Sequence, residues 1–244
     1  MKYLKVAIKE NIEISPGIFK LTVKGNFQAK PGQFYMLKAW GEGLILPRPI
    51  SVHDVREDGI VFLYAAVGKG TRIISNLETE EAIELLGPLG NGFDLENIKG
   101  RVAIVTGGIG IAPITYLVKQ LRTSNTDLYA GFRNEYYGIE EIKSYFNSVE
   151  IATESGIKGY KGYVTDLLKP EEYDVVICCG PEVMMEKVIK MCNDKEVLVY
   201  ASMENRMACG IGACLVCTCK TKEGNKRTCK DGPVFNGKDL VFND

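Results

Sequence analysis

Short runs in which apolar and polar residues alternate fill the first ninety-odd positions, and this period of two is typical of half-buried β-strands. Turns at Pro16-Gly17, Pro31-Gly32 and residues 87–90 separate the runs. A helical period occurs only over residues 71–79, which predicts one short helix. Strands are predicted over residues 3–10, 18–23, 33–39, 50–55, 59–66 and 82–86. Strands repeated at this spacing predict an antiparallel β-barrel.

From about residue 100 the pattern changes to apolar strands that alternate with amphipathic helices. Strands are predicted over residues 102–106, 127–132, 149–153, 174–179 and 197–200, and helices over residues 113–121, 137–146, 163–168 and 181–191. This alternation predicts a parallel sheet with helices on both faces, and ligands of such sheets bind beyond the carboxyl ends of the strands.

The regular alternation stops after Ser202, and the remaining residues predict only a hairpin near 222–225. So small a segment has a marginal core of its own, and a bound metal is the usual remedy. The predicted class is therefore β plus α/β, with a barrel over 1–98, a nucleotide-binding α/β domain over 99–201 and a small metal domain over 202–244.

Four cysteines of the last segment have the spacing C-x4-C-x2-C followed by x11-C, which is typical of plant-type [2Fe–2S] sites. Gly210 and Gly212 suit a loop that must wrap closely around a cluster, because glycine tolerates positive φ. The predicted ligands are Cys209, Cys214, Cys217 and Cys229.

Two alternatives to this ligand set remain open at the level of sequence. Structural zinc usually takes two short C-x2-C knuckles, whereas only Cys214 and Cys217 form one here. Cys219 could replace Cys229 as the fourth ligand, although the fourth thiolate of this spacing normally returns from a distance.

Charge and composition exclude some classes of partner. The chain has 30 Lys and Arg against 31 Asp and Glu, a formal charge of −1, and no basic block that would follow a nucleic-acid backbone. No run approaches the ~18 apolar residues that span a bilayer, and the N-terminus lacks a signal core. We expect a cytoplasmic protein with no nucleic-acid or membrane partner, in which Cys178, Cys179 and Cys192 are buried apolar residues.

Two further pairs of motifs suggest nucleotide binding. In the barrel, Arg48-Pro49-Ile50-Ser51 offers a guanidinium and a hydroxyl to a pyrophosphate, and Gly70-Thr71 opens the short helix. In the second domain, residues 106–113 (TGGIGIAP) and the Cys179-Gly180-Pro181 turn both follow predicted strands. Each motif alone also fits an ordinary structural turn.

The combination of these motifs with the cysteine loop, in this order over the whole chain, resembles the ferredoxin reductase superfamily. More closely it resembles the electron-transfer subunits of the two-subunit, NAD-dependent dihydroorotate dehydrogenases, for which the approach Ser202-Met203-Glu204 to the cluster is typical. The resemblance implies an FAD site of Arg48, Pro49, Ile50, Ser51, Leu63, Tyr64, Ala65, Gly70 and Thr71. It implies an NAD side of Gly107, Gly108, Gly110, Pro113, Cys179, Gly180 and Pro181, and a [2Fe–2S] cluster on the four cysteines.

The function that this resemblance implies is electron transfer in pyrimidine biosynthesis. A flavin accepts a hydride and gives single electrons, so FAD stands between NADH and the cluster. The partner would be an FMN-containing catalytic subunit, in a heterotetramer of two copies of each. No catalytic side chain is expected, and the single histidine, His53, is expected to be a strand-end residue. Alternatives are a ferredoxin- or oxygenase-type reductase, a subunit of a bifurcating complex, and a non-enzymatic zinc module.

Some details stay open at this level. Glu135 could accept from the adenosine ribose and favour NADH, whereas Arg133 could contact a phosphate and favour NADPH; the resemblance favours NADH. Glu154 stands where the family often has an acidic pair, so its role is undecided. Leu215 and Val216, apolar and between ligands, fit either a partner contact or packing within the small domain.

Overall fold

The N-terminal strands close into a six-stranded antiparallel barrel, as predicted. The computed structural model describes residues 1–39, 44–121, 123 and 125–242, so residues 243 and 244 of the predicted third domain lie outside the described residues. The strands follow the order β1-β2-β5-β4-β3-β6, and β1 closes the barrel by pairing with both β2 and β6. Their bounds are β1 (Lys2–Ser15), β2 (Ile18–Lys24), β3 (Phe34–Lys38), β4 (Arg48–Arg56), β5 (Gly59–Ala65) and β6 (Ala82–Leu89).

The barrel interior is filled by the inward members of the alternating pattern. Tyr35 packs edge-on against Phe27 and Phe62 within a cluster of buried aliphatic residues. The short helix α1 (Lys69–Ser75) lies between β5 and β6; it begins two residues earlier than predicted and ends four residues earlier.

The second half of the chain forms one seven-stranded sheet of order β10-β9-β8-β7-β11-β12-β15. Its first six strands are parallel, as the alternation predicts, whereas β15 runs antiparallel to β12. The elements of this sheet and its connections are β7 (Val102–Gly107), α2 (Ile114–Gln120), β8 (Thr126–Phe132), β9 (Ser148–Thr153), β10 (Tyr160–Lys161), β11 (Val175–Cys179), α3 (Glu182–Asp194), β12 (Leu198–Ser202) and β15 (Val234–Asn236). Strands β13 (Thr218–Thr221) and β14 (Gly224–Arg227) form a separate antiparallel hairpin. The segment after residue 202 therefore contributes an edge strand to the seven-stranded sheet.

The helix predicted over residues 137–146 is wrong, because only a 3₁₀ turn, Lys143–Tyr145, forms there. Gly138 adopts a φ of +73°, which interrupts a helix at its start. Ile139 and Ile142 are buried against the sheet, so their i, i+3 spacing reflects two anchors of a loop rather than a helix face. The helix predicted over 163–168 is likewise only a 3₁₀ turn, Val164–Asp166.

Helix α2 joins the barrel to the sheet. Lys119 donates from Nζ to Oδ2 of Asp54 on β4 at 2.6 Å, and Tyr116 Oη donates to the carbonyl of Ala29 at 2.9 Å. Apolar residues of both parts, among them Leu63 and Ile111, form one continuous buried cluster. The barrel and the α/β sheet therefore face one another across a packed contact.

A polar network surrounds Asp127 at the amino end of β8, away from the glycine-rich turns. The carboxylate accepts from Arg101 Nη2, Tyr173 Oη and Ser148 Oγ, each at 3.0 Å, and Tyr129 hydrogen-bonds to Tyr173 at 2.7 Å. Burial opposes ionisation, yet the three donors outweigh it and hold the pKa of Asp127 below its usual value. The carboxylate is therefore ionised at neutral pH.

We expect Asp127→Asn to lower the free energy of unfolding by about 1.5–3 kcal/mol, the range for hydrogen bonds to a buried charged group. Because the folded-state pKa is depressed, this contribution is present at all pH values above the unfolded pKa and is lost only as pH falls through the folded pKa. Urea unfolding should therefore show the same cost at pH 7 and pH 5. A cost that shrinks between these values would mean that the carboxyl already binds a proton.

Of the helices in the described ranges, none combines the length and the apolar character that a membrane crossing requires.

Candidate functional site: a cysteine loop, the Arg48–Ser51 motif and a cleft at the glycine-rich turns

The cysteine loop presents its thiols in two pairs. Cys229 N donates to Cys217 Sγ at 3.4 Å, and both residues are buried. Cys209 and Cys214 form the other pair and lie closer to the surface. Gly210 and Gly212, with φ of +71° and +81°, turn the chain so tightly that amide groups face the sulfurs, as their type and position predict.

These amides set the electrostatics of the loop. Burial alone would raise the pKa of the Cys209 thiol, but hydrogen bonds from the backbone N–H groups of Ile211, Cys214 and Ala213 and from the Cys214 side chain lower that pKa to about 6. At the other pair, burial and the neighbouring Cys217 raise the pKa of Cys229 to about 12. The thiolate is the form that ligates iron, and loop amides aimed at sulfur stabilise its charge.

The paired arrangement fits a two-iron cluster, in which each iron takes two thiolates. Cys219 lies on β13, where its Sγ donates to the carbonyl of Lys226 at 3.6 Å across the hairpin. Cys229, and not Cys219, is therefore the residue that the fold brings to Cys217.

The cysteine loop rests directly on the barrel. Cys217 and Cys229 pack with Met207 against side chains of β3 and β6: Phe34, Met36 and Leu89. Gly210 approaches β3 so closely that an added Cβ would lie 2.7 Å from Cγ of Met36. Met36 is in turn the register partner of Pro49 on β4. One strand therefore separates the cysteine loop from the Arg48–Ser51 motif.

The Arg48–Ser51 motif opens β4, and all four of its residues are half-buried. Their partial exposure leaves side-chain and main-chain groups of the motif accessible at one end of the barrel. Arg48 Nη1 donates to the carbonyl of Leu46, which orients the guanidinium.

The neighbouring strand β5 offers fewer side chains to a ligand than its sequence suggests. The Tyr64 ring points into the barrel core, where its hydroxyl donates to Asn11 Oδ1 at 3.2 Å, and Leu63 packs towards the α/β sheet. In α1, the Thr71 hydroxyl is engaged with the N–H and carbonyl of Gly68, both at 3.1 Å. At these positions the main chain, more than the side chains, is left for a ligand.

A cleft of about 1040 Å³ lies beyond the carboxyl ends of β7, β8, β9 and β11, where the sequence predicts nucleotide binding. Gly107, Gly108 and Pro181 line it, and the turn between β1 and β2 forms its barrel wall. The cleft therefore opens between the α/β sheet and the barrel.

The other residues predicted for the NAD side lie beneath the surface of the cleft. An added Cβ at Gly110 would lie 2.2 Å from the carbonyl oxygen of Cys179, and one at Gly180 would lie 2.7 Å from the amide nitrogen of Gly107. Cys179 and Pro113 are buried. These residues let the two glycine-rich turns pack against each other and do not line the cleft themselves.

The cleft also contains residues that sequence reasoning did not assign. Tyr137, Tyr163 and Lys187 line it, and burial raises the pKa of the Tyr137 hydroxyl to about 12. Lys187 donates to Asp166 at 2.7 Å. No motif marks these residues, because the loop after β8, the segment after β10 and helix α3 bring them together. The residues left undecided by the sequence, Arg133, Glu135 and Glu154, all lie in the same cleft.

Comparison with known proteins agrees with this geometry. Residues 204–241, which contain the cysteine loop, match the model of the iron-sulfur cluster binding domain of dihydroorotate dehydrogenase B. The dihydroorotate dehydrogenase B (NAD(+)) electron transfer subunit of Clostridium acetobutylicum is 55% identical over 243 residues, which cover 100% of this chain and 99% of that protein. The corresponding subunit of Clostridium perfringens is 52% identical, with 99% of each chain covered.

Among solved structures, an NADH-dependent reduced ferredoxin-NADP oxidoreductase studied for flavin-based electron bifurcation superposes with a TM-score of 0.86 at 25% identity, over 97% of this chain and 89% of that one. A ferredoxin NADP+ reductase from Neisseria gonorrhoeae shares the fold with a TM-score of 0.66 at 18% identity, over 84% and 95% of the two chains. Because these two relatives are more than 50% identical to the chain over 99–100% of its length, the chain belongs to the family of dihydroorotate dehydrogenase B (NAD(+)) electron transfer subunits.

Proposed function

We propose that the chain carries electrons between NAD and a catalytic dihydroorotate dehydrogenase subunit by way of FAD and a [2Fe–2S] cluster. The observation that carries this proposal is the seating of the cysteine loop on β3, one strand from the Arg48–Ser51 motif. The nucleotide cleft opens on another side of the same barrel. A flavin on β4 would thus lie within reach of both a one-electron and a two-electron partner.

FAD, NAD and the cluster would each be bound by a separate set of residues. FAD would be held by Arg48, Pro49, Ile50 and Ser51, with the main chain of Leu63, Tyr64 and Ala65 and the first residues of α1, Gly70 and Thr71. NAD would lie on Gly107, Gly108 and Pro181, with Gly110, Pro113, Cys179 and Gly180 shaping the turns beneath it. Cys209, Cys214, Cys217 and Cys229 would hold the cluster. The bound flavin supplies the conversion between hydride and single-electron transfer, and this chain's residues bind, orient and shield the groups.

The partner would be the FMN-containing catalytic subunit, in a cytoplasmic heterotetramer of two copies of each chain. Leu215 and Val216 are 61% and 54% exposed on the cysteine loop, which supports a partner contact there rather than packing within the small domain. We also propose domain boundaries at residues 98/99 and 201/202. Strand β15 follows the second boundary in sequence and pairs with β12, which precedes it.

Reconstitution with the catalytic subunit tests the proposal. The purified chain should show flavin bands and broad cluster absorption, and the complex should form NADH from dihydroorotate and NAD. A colourless zinc protein, or a complex that forms no NADH, would refute it. The likeness to the NADH-dependent reduced ferredoxin-NADP oxidoreductase favours one competing function, electron transfer between ferredoxin and NAD(P). Activity with ferredoxin and none with the catalytic subunit would select that alternative.

The two carboxylates in the cleft predict a preference for NADH. Glu154 follows β9 and Glu135 follows β8, and both line the same cleft as Gly107 and Gly108, where a 2′-phosphate would meet their negative charge. We expect Glu154→Gln to raise the ratio of kcat/KM for NADPH over NADH by about tenfold, the effect of removing roughly 1.4 kcal/mol of repulsion. The matched control is Glu150→Gln on the exposed part of β9, which should leave the ratio unchanged. Equal ratios in all three proteins would exclude Glu154 from the ribose site.

A further inference from the structure

A β-bulge interrupts β4 immediately after the Arg48–Ser51 motif. The pairing with β5 passes from Val52 opposite Phe62 to Asp54 opposite Val61, so His53 is an extra residue without a partner in the ladder. Bulges of this kind turn a side chain out of the regular alternation. His53 lies within β4, not at a strand end as expected, and only 1% of it is exposed.

The bulge aims the His53 ring at the segment that follows β7. Its Nδ1 lies 2.7 Å from the carbonyl oxygen of Ala112, so Nδ1–H donates a hydrogen bond to that carbonyl. Ala112 closes the glycine-rich loop that starts at Gly107, and helix α2 begins two residues later. The hydrogen bond therefore connects the proposed flavin strand to the proposed nicotinamide loop.

The other ring nitrogen faces a carboxylate. Nε2 lies 3.8 Å from Oε2 of Glu141, which is too far for a direct hydrogen bond, and it has no hydrogen-bond partner among the described residues. Glu141 also forms an ion pair with Lys20 of the barrel. The nearby His53, together with Lys20, lowers the pKa of Glu141 to about 2 although burial opposes this, so the carboxylate stays ionised.

The next residue of the bulge strengthens the same connection. Asp54, 4% exposed, accepts from Lys119 of α2 at 2.6 Å. Two consecutive residues of β4 thus hold the start and the end of the α2 segment. Neither side chain lines the nucleotide cleft, so their effect on a bound ligand must act through the loop and the strand.

We propose that His53 is a positioning residue for hydride transfer, which fixes the glycine-rich loop against the flavin strand through the Ala112 carbonyl. This proposal rests on the proposed function. In the step concerned, NADH, FAD and one proton become NAD⁺ and FADH₂; the C–H bond of the nicotinamide breaks and its electron pair moves with the hydride to the flavin. His53 supplies no proton. Its role is to set the distance between the hydride donor, the nicotinamide, and the hydride acceptor, the flavin. An error of about 1 Å in such a distance lowers the rate by about 10²-fold.

Three substitutions separate the two contacts of the ring. His53→Asn places an amide N–H near the position of Nδ1 and can keep the bond to Ala112. His53→Gln places its amide near Nε2 and faces Glu141 instead, and His53→Phe fills the space without any donor. Each protein is studied in the reconstituted complex, with anaerobic stopped-flow absorption following flavin reduction by NADH and by NADH deuterated at the transferred position.

In the His53→Asn variant, NADH should reduce the flavin at a rate within about threefold of that in the natural protein. In the His53→Gln and His53→Phe variants, this rate should be about ten- to hundredfold lower. The NADH concentration for half-maximal rate should change little, and the deuterium isotope effect should persist in the slow variants because hydride transfer is the slowed step. Lys24→Met, which removes the exposed Lys24–Glu80 pair elsewhere on the barrel, is the control and should match the natural protein.

Equal rates for Phe and the natural protein, or an Asn variant as slow as Phe, would overturn the proposal. So would loss of bound FAD in the slow variants, because His53 would then be needed for the barrel itself. If Phe fails to fold, the polar Asn and Gln variants decide between the two contacts. Failure of the proposed function is distinct: in that case the natural protein itself would lack flavin and cluster absorption or would not be reduced by NADH.

Discussion

Replacing Cys214 with serine should abolish the cluster absorption and lower NADH formation from dihydroorotate by at least about 100-fold. FAD content and NADH-driven flavin reduction should be retained. Cys214 is exposed and is not a member of the buried cluster that joins Cys217 and Cys229 to the barrel, so its loss should remove a ligand without opening that buried contact. The measurements are the visible spectrum, flavin content, and steady-state activity of the complex.

The matched control is Cys219→Ser, two residues after Cys217. Cys219 pairs across the β13–β14 hairpin, so this variant should keep the cluster and the activity. Cys217→Ser is the informative contrast, because Cys217 is buried against the barrel, and its loss should also lower the thermal stability of the chain. If Cys219→Ser loses the cluster and Cys229→Ser retains it, the assigned fourth ligand is wrong.

Gly110→Ala should lower kcat/KM for NADH by about ten- to hundredfold while the cluster spectrum and FAD content stay normal. The new methyl group would meet the carbonyl oxygen of Cys179 at 2.2 Å, and a backbone atom cannot move aside as a flexible side chain can. The two glycine-rich turns must then separate, and both border the nucleotide cleft. Stopped-flow reduction of the flavin at several NADH concentrations measures the effect.

Gly68→Ala provides the control for this experiment. Gly68 has a φ of −132°, and an added Cβ there meets nothing within 4 Å, so the substitution should leave NADH kinetics unchanged. An unchanged kcat/KM in Gly110→Ala would show that the approach of the two turns does not shape the NAD site.

Local pattern was sufficient for much of this fold. Alternation of period two predicted all six barrel strands, and the apolar runs predicted the parallel core of the sheet, because each of these segments buries one or both faces. The cysteine spacing predicts a ligand set, three of whose four members lie within one turn-rich stretch, and that set stays a prediction. In these places local sequence and tertiary packing favour the same structure.

Long-range contacts account for what the sequence did not predict. Strand β15 joins the sheet only because the chain returns to β12, and no local pattern specifies that return. The helix predicted over 137–146 is wrong because two isoleucines anchor a loop with helical spacing. The role of His53 depends on a bulge, which a one-residue shift in pairing creates and which periodicity does not reveal.

In the proposed function, electrons pass between the catalytic subunit and FAD through the cluster of this chain. The direct measurement is anaerobic mixing of the reconstituted complex, without NAD, with dihydroorotate, while absorption follows the flavin of this chain. In the natural complex we predict that the cluster and FAD both become reduced. In the Cys214→Ser complex FAD should stay oxidised with dihydroorotate, although NADH still reduces it. If dihydroorotate reduced FAD in the Cys214→Ser complex as fast as in the natural complex, the proposed route through the cluster would be contradicted.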